Sequence, residues 1–462
     1  MNHGPVPGML TRAQLGDLIE RGEIETVLTV FPDMYGRLMG KRITGHFFID
    51  HVAEGGMHAC DYLLACDMEM DVIAGYKYTS WETGYGDFHC VPDFSTLRWA
   101  AWLPKTAIVL CDLFSQHEEV VEVAPRRMLQ RQVARAHEMG FSVMGGSEIE
   151  LYLFNETYDT ARAKNYHDLQ PIGLYNEDYH IFQGTKEDGL VGAIRRALDG
   201  SGVPVEFSKG EAGLGQQEIN LQYCDALTQC DRNIIYKHAA KEIAYAQNKA
   251  ITFMAKWDEK HTGSSTHIHL SLWDPDGAHN QFSGTGQVGP IQASDTFRYF
   301  LGGWMKRARE FSACYAPYVA SYKRYQSRSW APTGIAWSYD NRTAGFRVVG
   351  HDASLRIECR LPGADANPYI AYAAALAAGL DGIQNKIEPP PVFQGDVYAA
   401  QDLPRVPTVL REAIDELDRS TFAREAFGAD VVEHYLHFLR TEQRKFDEVV
   451  TSWERARYFE RA

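Results

Sequence analysis

Four short stretches of the chain carry carboxylates and imidazoles, three of them at strand spacing. In Gly146-Ser147-Glu148-Ile149-Glu150-Leu151-Tyr152-Leu153-Phe154 apolar and polar residues alternate, so the stretch predicts a β-strand with Glu148 and Glu150 on one face. Two carboxylates that close repel unless a positive charge sits between them. Glu211 and Glu218 flank a Gly-rich loop, and His267 and His269 form a His-x-His on one face of another strand. Arg356, Glu358 and Arg360 share a face of a third strand. Five carboxylates and one or two imidazoles converging from several strands suit two or three hard divalent cations, Mg²⁺ or Mn²⁺. Arg324, Arg342 and Arg347 could hold phosphate or carboxylate oxygens, where the planar guanidinium gives paired contacts.

Each of these features has a plainer reading when taken alone. Glu-x-Glu reads as a solvated strand face, a single histidine as a hydrogen-bonded structural group, and Arg356 with Arg360 as an ion-pair ladder. Arg324 beside Lys323 reads as a solvated basic patch. Gly210 to Gly215 is no phosphate loop, since the Gly-x-x-x-x-Gly-Lys-Ser/Thr pattern is absent. Their number and order favour the joint reading.

The elements that must position these groups follow from periodicity. Thr11 and Gln14 form a capping box for a short helix, and Ile24 to Phe31 and Arg37 to Ile43 read as strands around a Pro-Asp-Met-Tyr-Gly turn. Residues 56 to 96 are rich in Gly, Tyr and Asp and predict loops, and Thr106 to Leu113 a strand. An N-terminal unit of residues 1–120 and a larger unit of 121–462 follow. In the second unit, Pro125 opens a helix to Met139, residues 155 to 190 read as irregular, and helices are expected at 187–198, 231–249 and 296–313. Strands are expected at 203–207, 251–256, 266–273, 346–349 and 354–361. Asn367 caps a helix opened by Pro368, and the chain closes with helices at 408–417 and 431–458.

Composition bounds the function. The chain has 462 residues, 45% hydrophobic and 23% charged, which allows two or three domains. A net charge of -15 argues against nucleic-acid binding and favours cations. The eight cysteines form no Cys-x-x-Cys pair, so structural zinc and redox motifs are not expected. The N-terminus lacks a secretory pattern, and the apolar run from Ile370 to Leu380 is short and Ala-rich, so a cytoplasmic protein without membrane contact is expected.

Taken in order, Ser147 to Glu150, Gly210 to Glu218, Thr252 to Lys256, His267 to Ser271, Tyr322 to Arg324, Asp340 to Arg342, Arg356 to Arg360 and Ala366 to Tyr369 resemble glutamine synthetase over essentially the whole chain. The resemblance implies an α+β fold: a small β-grasp domain, then a catalytic domain with a curved antiparallel sheet flanked by helices. It implies that Glu150, Glu211 and Glu218 hold one metal, and that Glu148, His267 and Glu358 hold another beside the ATP phosphates. It places Glu206, Tyr223, His269 and Ser271 at ATP, with Arg342 and Arg347 at the nucleotide and the transferring phosphoryl group. Glutamate would meet Glu150, Gly263, His267, Arg324 and Arg360. It further implies a dodecamer of two hexameric rings, with each active site shared between neighbours. Tyr398 lies near that family's adenylylated position, but Gly395 to Ala399 is a poor match and it reads as an ordinary surface tyrosine.

The sequence departs from that family at the ammonia end. The positions of the ammonium-binding aspartate and a nearby serine correspond to Ala59 and Tyr62, and the flap glutamate corresponds to Trp330. No acid lies between Arg324 and Pro332, and Thr262 replaces an asparagine. An apolar, aromatic wall suits the carbon chain of an organic amine. The chain therefore resembles the glutamate–amine ligases, with ethanolamine or a polyamine as the expected acceptor. Asp61, Glu82 and Asp87 are candidates for taking up the amine proton. The alternatives are an ordinary glutamine synthetase and a catalytically dead relative; a guanidino kinase would leave Arg324 and Arg360 without a carboxylate to bind.

Overall fold

In the computed structural model, which describes residues 6–462, β1 (Thr26–Pro32) lies inside a sheet rather than at its edge. Val27 and Phe31 enter one apolar cluster while Leu28 and Val30 enter another, so both faces are covered. Its neighbours are β2 (Leu38–Thr44), antiparallel, and the parallel β6 (Thr106–Phe114). Between these in the chain come β3 (Met57–Cys60), β4 (Asp87–Pro92) and the two-residue β5 (Arg98–Trp99). The order is β2-β1-β6-β4-β3, with β5 on β6. The loops expected over residues 56 to 96 thus include two short paired strands, β3 and β4, separated by a long stretch rich in Gly and Asp that drew the reading toward loop.

The second sheet holds β7 (Ser142–Phe154), β8 (Val205–Gly210), β9 (Gln216–Asp225), β10 (Ala250–Thr252) and β11 (Thr266–Trp273). After a hairpin of β12 (Gly286–Val288) and β13 (Ile291–Ala293) come β14 (Trp337–Tyr339), β15 (Phe346–Val349) and β16 (Arg356–Cys359). The order is β14-β15-β16-β11-β7-β9-β8, with β10 on β7. Every pair is antiparallel except β14 with β15.

Helices cover this sheet on its apolar side. The Ala-rich run is helix Pro368–Asn385, buried along almost its whole length. It packs so closely on helix Asp295–Arg307 that a Cβ at Gly303 would lie 2.3 Å from the Ala378 carbonyl oxygen. Small residues therefore serve helix contact, and among the described residues no helix is long and apolar enough to cross a membrane. Arg126 joins the two sheets' layers: buried, it bonds Asp93 and Asp112 of the N-terminal region and Asp231 on helix Ala226–Ala246. All eight cysteines are free.

Several expected boundaries move. The irregular 155–190 region ends earlier, because helix Ile181–Asp199 begins six residues before Glu187. The helix expected at 296–313 ends at Arg307, and Ser312–Tyr315 forms a separate turn of helix. The long terminal helix is two, Ala429–Asp447 and Ser452–Tyr458, the second opened by a Thr451/Glu454 capping box.

Candidate active site

Strand register assembles the site. A side chain on one strand lies beside the residue opposite it on the next, so paired positions form rows across a sheet. One row is Lys209 of β8, Glu218 of β9 and Glu150 of β7. A second is Asn220 of β9, Glu148 of β7 and His267 of β11. A third is His269 of β11, Glu358 of β16 and Arg347 of β15. The Gly-rich segment expected as a loop is thus a hairpin, and β9 carries Glu218 into the row.

The rows produce three groups of ligand atoms lying within 4.8 Å of one another: Glu150, Glu211 and Glu218; Glu148, Glu218 and His267; and Glu148, His269 and Glu358. The first has the membership that the sequence expected. The second expected set, Glu148, His267 and Glu358, is also contiguous, with His267 Nδ1 3.0 Å from Glu148 Oε2 and 3.6 Å from Glu358 Oε1. His269 joins it, its Nε2 3.1 Å from Glu148 Oε1.

The electrostatics mark where a cation is wanted. Burial, and then the charge of Glu211, raise the Glu150 carboxyl to about 7. Burial and the charges of Glu148 and Glu150 push Glu218 well above the usual carboxylate range. On the other side the balance reverses. Burial is the largest influence on Glu358 and works against its ionisation, but the Arg360 guanidinium with His269 and His267 together outweigh it and hold that carboxyl at about 2. Burial and then Arg360 lower His267 to about 4, so its ring is neutral and free to act as a ligand. Several carboxylates crowded together, beside a neutral imidazole, fit divalent cations with oxygen-rich ligands.

Two cavities meet here. The larger, about 650 Å³, is lined by Glu206, Tyr223, His269 and Ser271 together with Gly145, Gly146 and Arg356. A bulge between Val205 and Phe207 brings Glu206 into it. The smaller, about 220 Å³, is lined by Glu150, Glu211, Glu218, Gly263, His267, Arg324, Arg342, Arg347, Arg360 and Trp330. Glu148 and Asn220 line both, so the carboxylate groups stand at the junction.

The arginines differ in how free they are. Arg360 Nη1 donates to Glu358 Oε1 at 2.5 Å, while its buried Nε has no partner. Arg347 donates to Glu358 Oε2 at 2.8 Å and to Asp340. Arg324 is buried, with Nη1 and Nη2 each donating to a backbone carbonyl, of Leu361 and Arg360. Arg342 is exposed at the mouth of the smaller cavity. Trp330 is 59% exposed with φ +63, a conformation few non-glycine residues adopt.

Ala59 and Tyr62 do not reach this cavity within one chain. Ala59 is buried in β3, and Tyr62 packs on Tyr85 in the N-terminal loops. Asp61 accepts from Thr79, Asp87 pairs opposite Cys60, and Glu82 is exposed in the same loops. Other groups escaped the sequence reading. Ser265 donates through N and Oγ to the two oxygens of Glu150, and Gln216 donates to the same carboxylate at 3.1 Å. Lys209 pairs with Glu211. Gln216 lies inside a stretch already picked out and Ser265 just before the strand expected at 266–273, but neither residue type signals a carboxylate clamp.

Residues 122–458 match the family described as glutamine synthetase, catalytic domain. The chain is 46% identical over 448 residues to γ-glutamylethanolamide synthetase GlnA4 of Streptomyces coelicolor, covering 97% of this chain and 95% of that one. It is 34% identical over 447 residues to glutamate–isopropylamine ligase of a Pseudomonas species, covering 96% and 97%. Among solved structures, GmaS without ligand superposes with a TM-score of 0.84 at 27% identity, covering 97% of this chain and all of that one, and a GmaS/ADP complex with 0.83. The match over residues 122–458, and similarity to these relatives along almost the full length, lead to one conclusion: the chain belongs to the glutamine synthetase family.

Proposed function

We propose that the chain is an ATP-dependent glutamate–amine ligase, joining the glutamate γ-carboxylate to a primary amine. The observation that carries this reading is the meeting of the two cavities at Glu148, with the flap beside them offering Trp330 where an acid would serve ammonium. The curated relatives named for ethanolamide and isopropylamide formation support it.

ATP enters the larger cavity, against Glu206, Tyr223, His269 and Ser271. Glutamate enters the smaller, with its carboxylates on Arg324 and Arg360, the free Nε of Arg360 offering one donor, and with Gly263 above it. Glu150, Glu211 and Glu218 would hold one divalent cation, and Glu148, His267 and Glu358 another; we read these as Mg²⁺ or Mn²⁺, two or three per site. Such cations supply charge neutralisation of the phosphates during transfer. Arg342 and Arg347 attract the phosphoryl oxygens. The γ-carboxylate oxygen bonds to the γ-phosphorus of ATP, ADP leaves, and γ-glutamyl phosphate forms. The amine nitrogen then bonds to the acyl carbon, the C–O bond breaks, phosphate leaves with that electron pair, and one proton is released. Trp330 and neighbouring aromatic residues shield the acyl phosphate from water.

The reading assigns residues 1–120 to an N-terminal unit and 121–462 to the catalytic unit, a division supported by the separate sheets. It needs Ala59 and Tyr62 to reach the acceptor from another copy, as in a dodecamer of two hexameric rings, and takes the enzyme to be cytoplasmic. Phosphate release from ATP with glutamate and Mg²⁺, with ammonium or a single amine in each well, tests it, with mass spectrometry of the product. Turnover with an amine and little with ammonium is expected. Turnover with ammonium alone returns the chain to glutamine synthesis; after silence throughout, ATP binding with metal separates an untried amine from a dead relative.

A further inference from the structure

Among the described residues, Glu148 and Asn220 are the two that line both cavities. Folding alone does not explain an asparagine there. It sits inside β9 between Ile219 and Leu221, where a branched or aromatic side chain packs better than an amide. It is 5% exposed, and its Oδ1 is buried without a hydrogen-bond partner. An unpaired carbonyl oxygen is costly to bury, and the strand keeps one at the centre of the site.

Register fixes its surroundings. Asn220 stands opposite Glu148 across the β7–β9 ladder, and two residues from Glu218 on the same face of β9. Glu148 and Glu218 belong, with His267, to the group of ligand atoms within 4.8 Å of one another that the sequence did not foresee. An amide oxygen beside two carboxylates and an imidazole makes an oxygen-rich set for a hard cation, which accepts Asn carbonyls as ligands.

We infer that Asn220 is a further cation ligand, its Oδ1 joining Glu148 and Glu218 around a divalent cation at the junction of the two cavities. This rests on the glutamate–amine ligase reading, under which the terminal phosphate of ATP and the glutamate γ-carboxylate must meet where the cavities join. A cation there supplies charge neutralisation. A neutral ligand suits the position, because it adds an oxygen without a further negative charge beside two carboxylates. Asn220 itself takes no part in bond making.

The first test needs no variant of the site. The wild-type chain is labelled at its asparagine side-chain carbonyls with the magnetic carbon isotope and given Mn²⁺ below the concentration of sites. Asn220 is the one asparagine among the described residues lining either cavity. Electron–nuclear double resonance is expected to show a carbon coupling to Mn²⁺ of the size of a directly bound amide. That coupling should vanish in Asn220→Asp, which keeps an oxygen in place. No coupling, or one that stays in Asn220→Asp, overturns the inference. The second test is Mn²⁺ affinity by electron paramagnetic resonance. Asn220→Leu is expected to weaken binding of one Mn²⁺ at least about tenfold, and Asn220→Asp to retain it. Unchanged affinity in Asn220→Leu, or equal weakening in both variants, shows a merely structural amide. Should Asn220→Leu not fold, the labelling measurement alone decides. Neither readout needs substrate: amine turnover without the coupling sinks this inference and leaves the ligase reading, and the coupling without turnover does the reverse.

Discussion

Glu148 faces His267 across the β7–β11 ladder, and His267 Nδ1 lies 3.0 Å from its Oε2. On the other edge of β7, the β7–β9 register sets Glu150 opposite Glu218. The site is therefore built into the sheet, and its geometry survives single changes of side chain.

Glu148→Gln is accordingly expected to fold while losing at least about 100-fold in kcat/KM, because an amide is a poor ligand for a hard cation. Mn²⁺ binding followed by electron paramagnetic resonance should weaken in parallel. A variant with normal activity would remove Glu148 from the reaction.

Gly263 has no room for a side chain. A Cβ there would lie 2.7 Å from Arg324 Cγ and 2.8 Å from the Ala255 carbonyl oxygen. Gly263→Ala should push Arg324 aside and raise the glutamate KM about tenfold, since small misplacements at a binding arginine are costly. The ATP KM should be unchanged; an equal rise in both would point to general disruption.

Tyr398 donates its hydroxyl to the Ala331 carbonyl at 2.9 Å, tying a surface turn to the flap that carries Trp330. The expected ordinary surface tyrosine thus has a structural partner. Tyr398→Phe removes a bond worth about 1 kcal/mol and should loosen the flap. The readout is amine-independent phosphate release with glutamate and ATP, which should rise several-fold; no change would show that the flap does not exclude water.

Trp330→Glu places an acid beside the acceptor. Ammonium turnover should rise at least about tenfold relative to amine turnover, because the new carboxylate accepts from a cation that has only donors to offer. An unchanged ratio would mean that acceptor choice lies elsewhere.

His434 supplies a pH test outside the site. It is buried, its Nε2 lies 2.9 Å from the Leu64 carbonyl, and its ring packs on Tyr76. Burial lowers it to about 4, below its unfolded value near 6.5. The folded chain thus prefers the neutral ring. Its contribution is complete above pH 6.5 and is lost as pH falls toward 4, up to about 3 kcal/mol. Thermal unfolding of His434→Gln should depend less on pH over that window than the wild type does.

The rows of acids and histidines were legible because Glu-x-Glu and His-x-His state a period of two on their own. The β9 strand was also written in the chain, with Glu218 and Asn220 alternating with Ile219 and Leu221, but the glycines before it drew the reading toward a loop. The Lys209–Glu211 pair stayed hidden, since charges two apart on a strand describe any solvated face. Arg324 looked free in sequence and is half committed to backbone carbonyls, a fact that only folding decides. The break after Asp447 was missed because Val449 and Val450 continue the apolar spacing.

The acids at the cavity junction lie on or beside paired strands, whereas Trp330, Asp178 and Tyr179 lie in segments outside the sheet ladders. A one-residue slip in a strand would turn every acid to the wrong face. A change in a loop moves only its own side chain. Evolution can therefore vary the acceptor by rewriting a few loop positions while the phosphorylating apparatus is inherited intact. A library confined to residues 326–332 would vary the proposed acceptor wall without re-solving the harder half of the reaction.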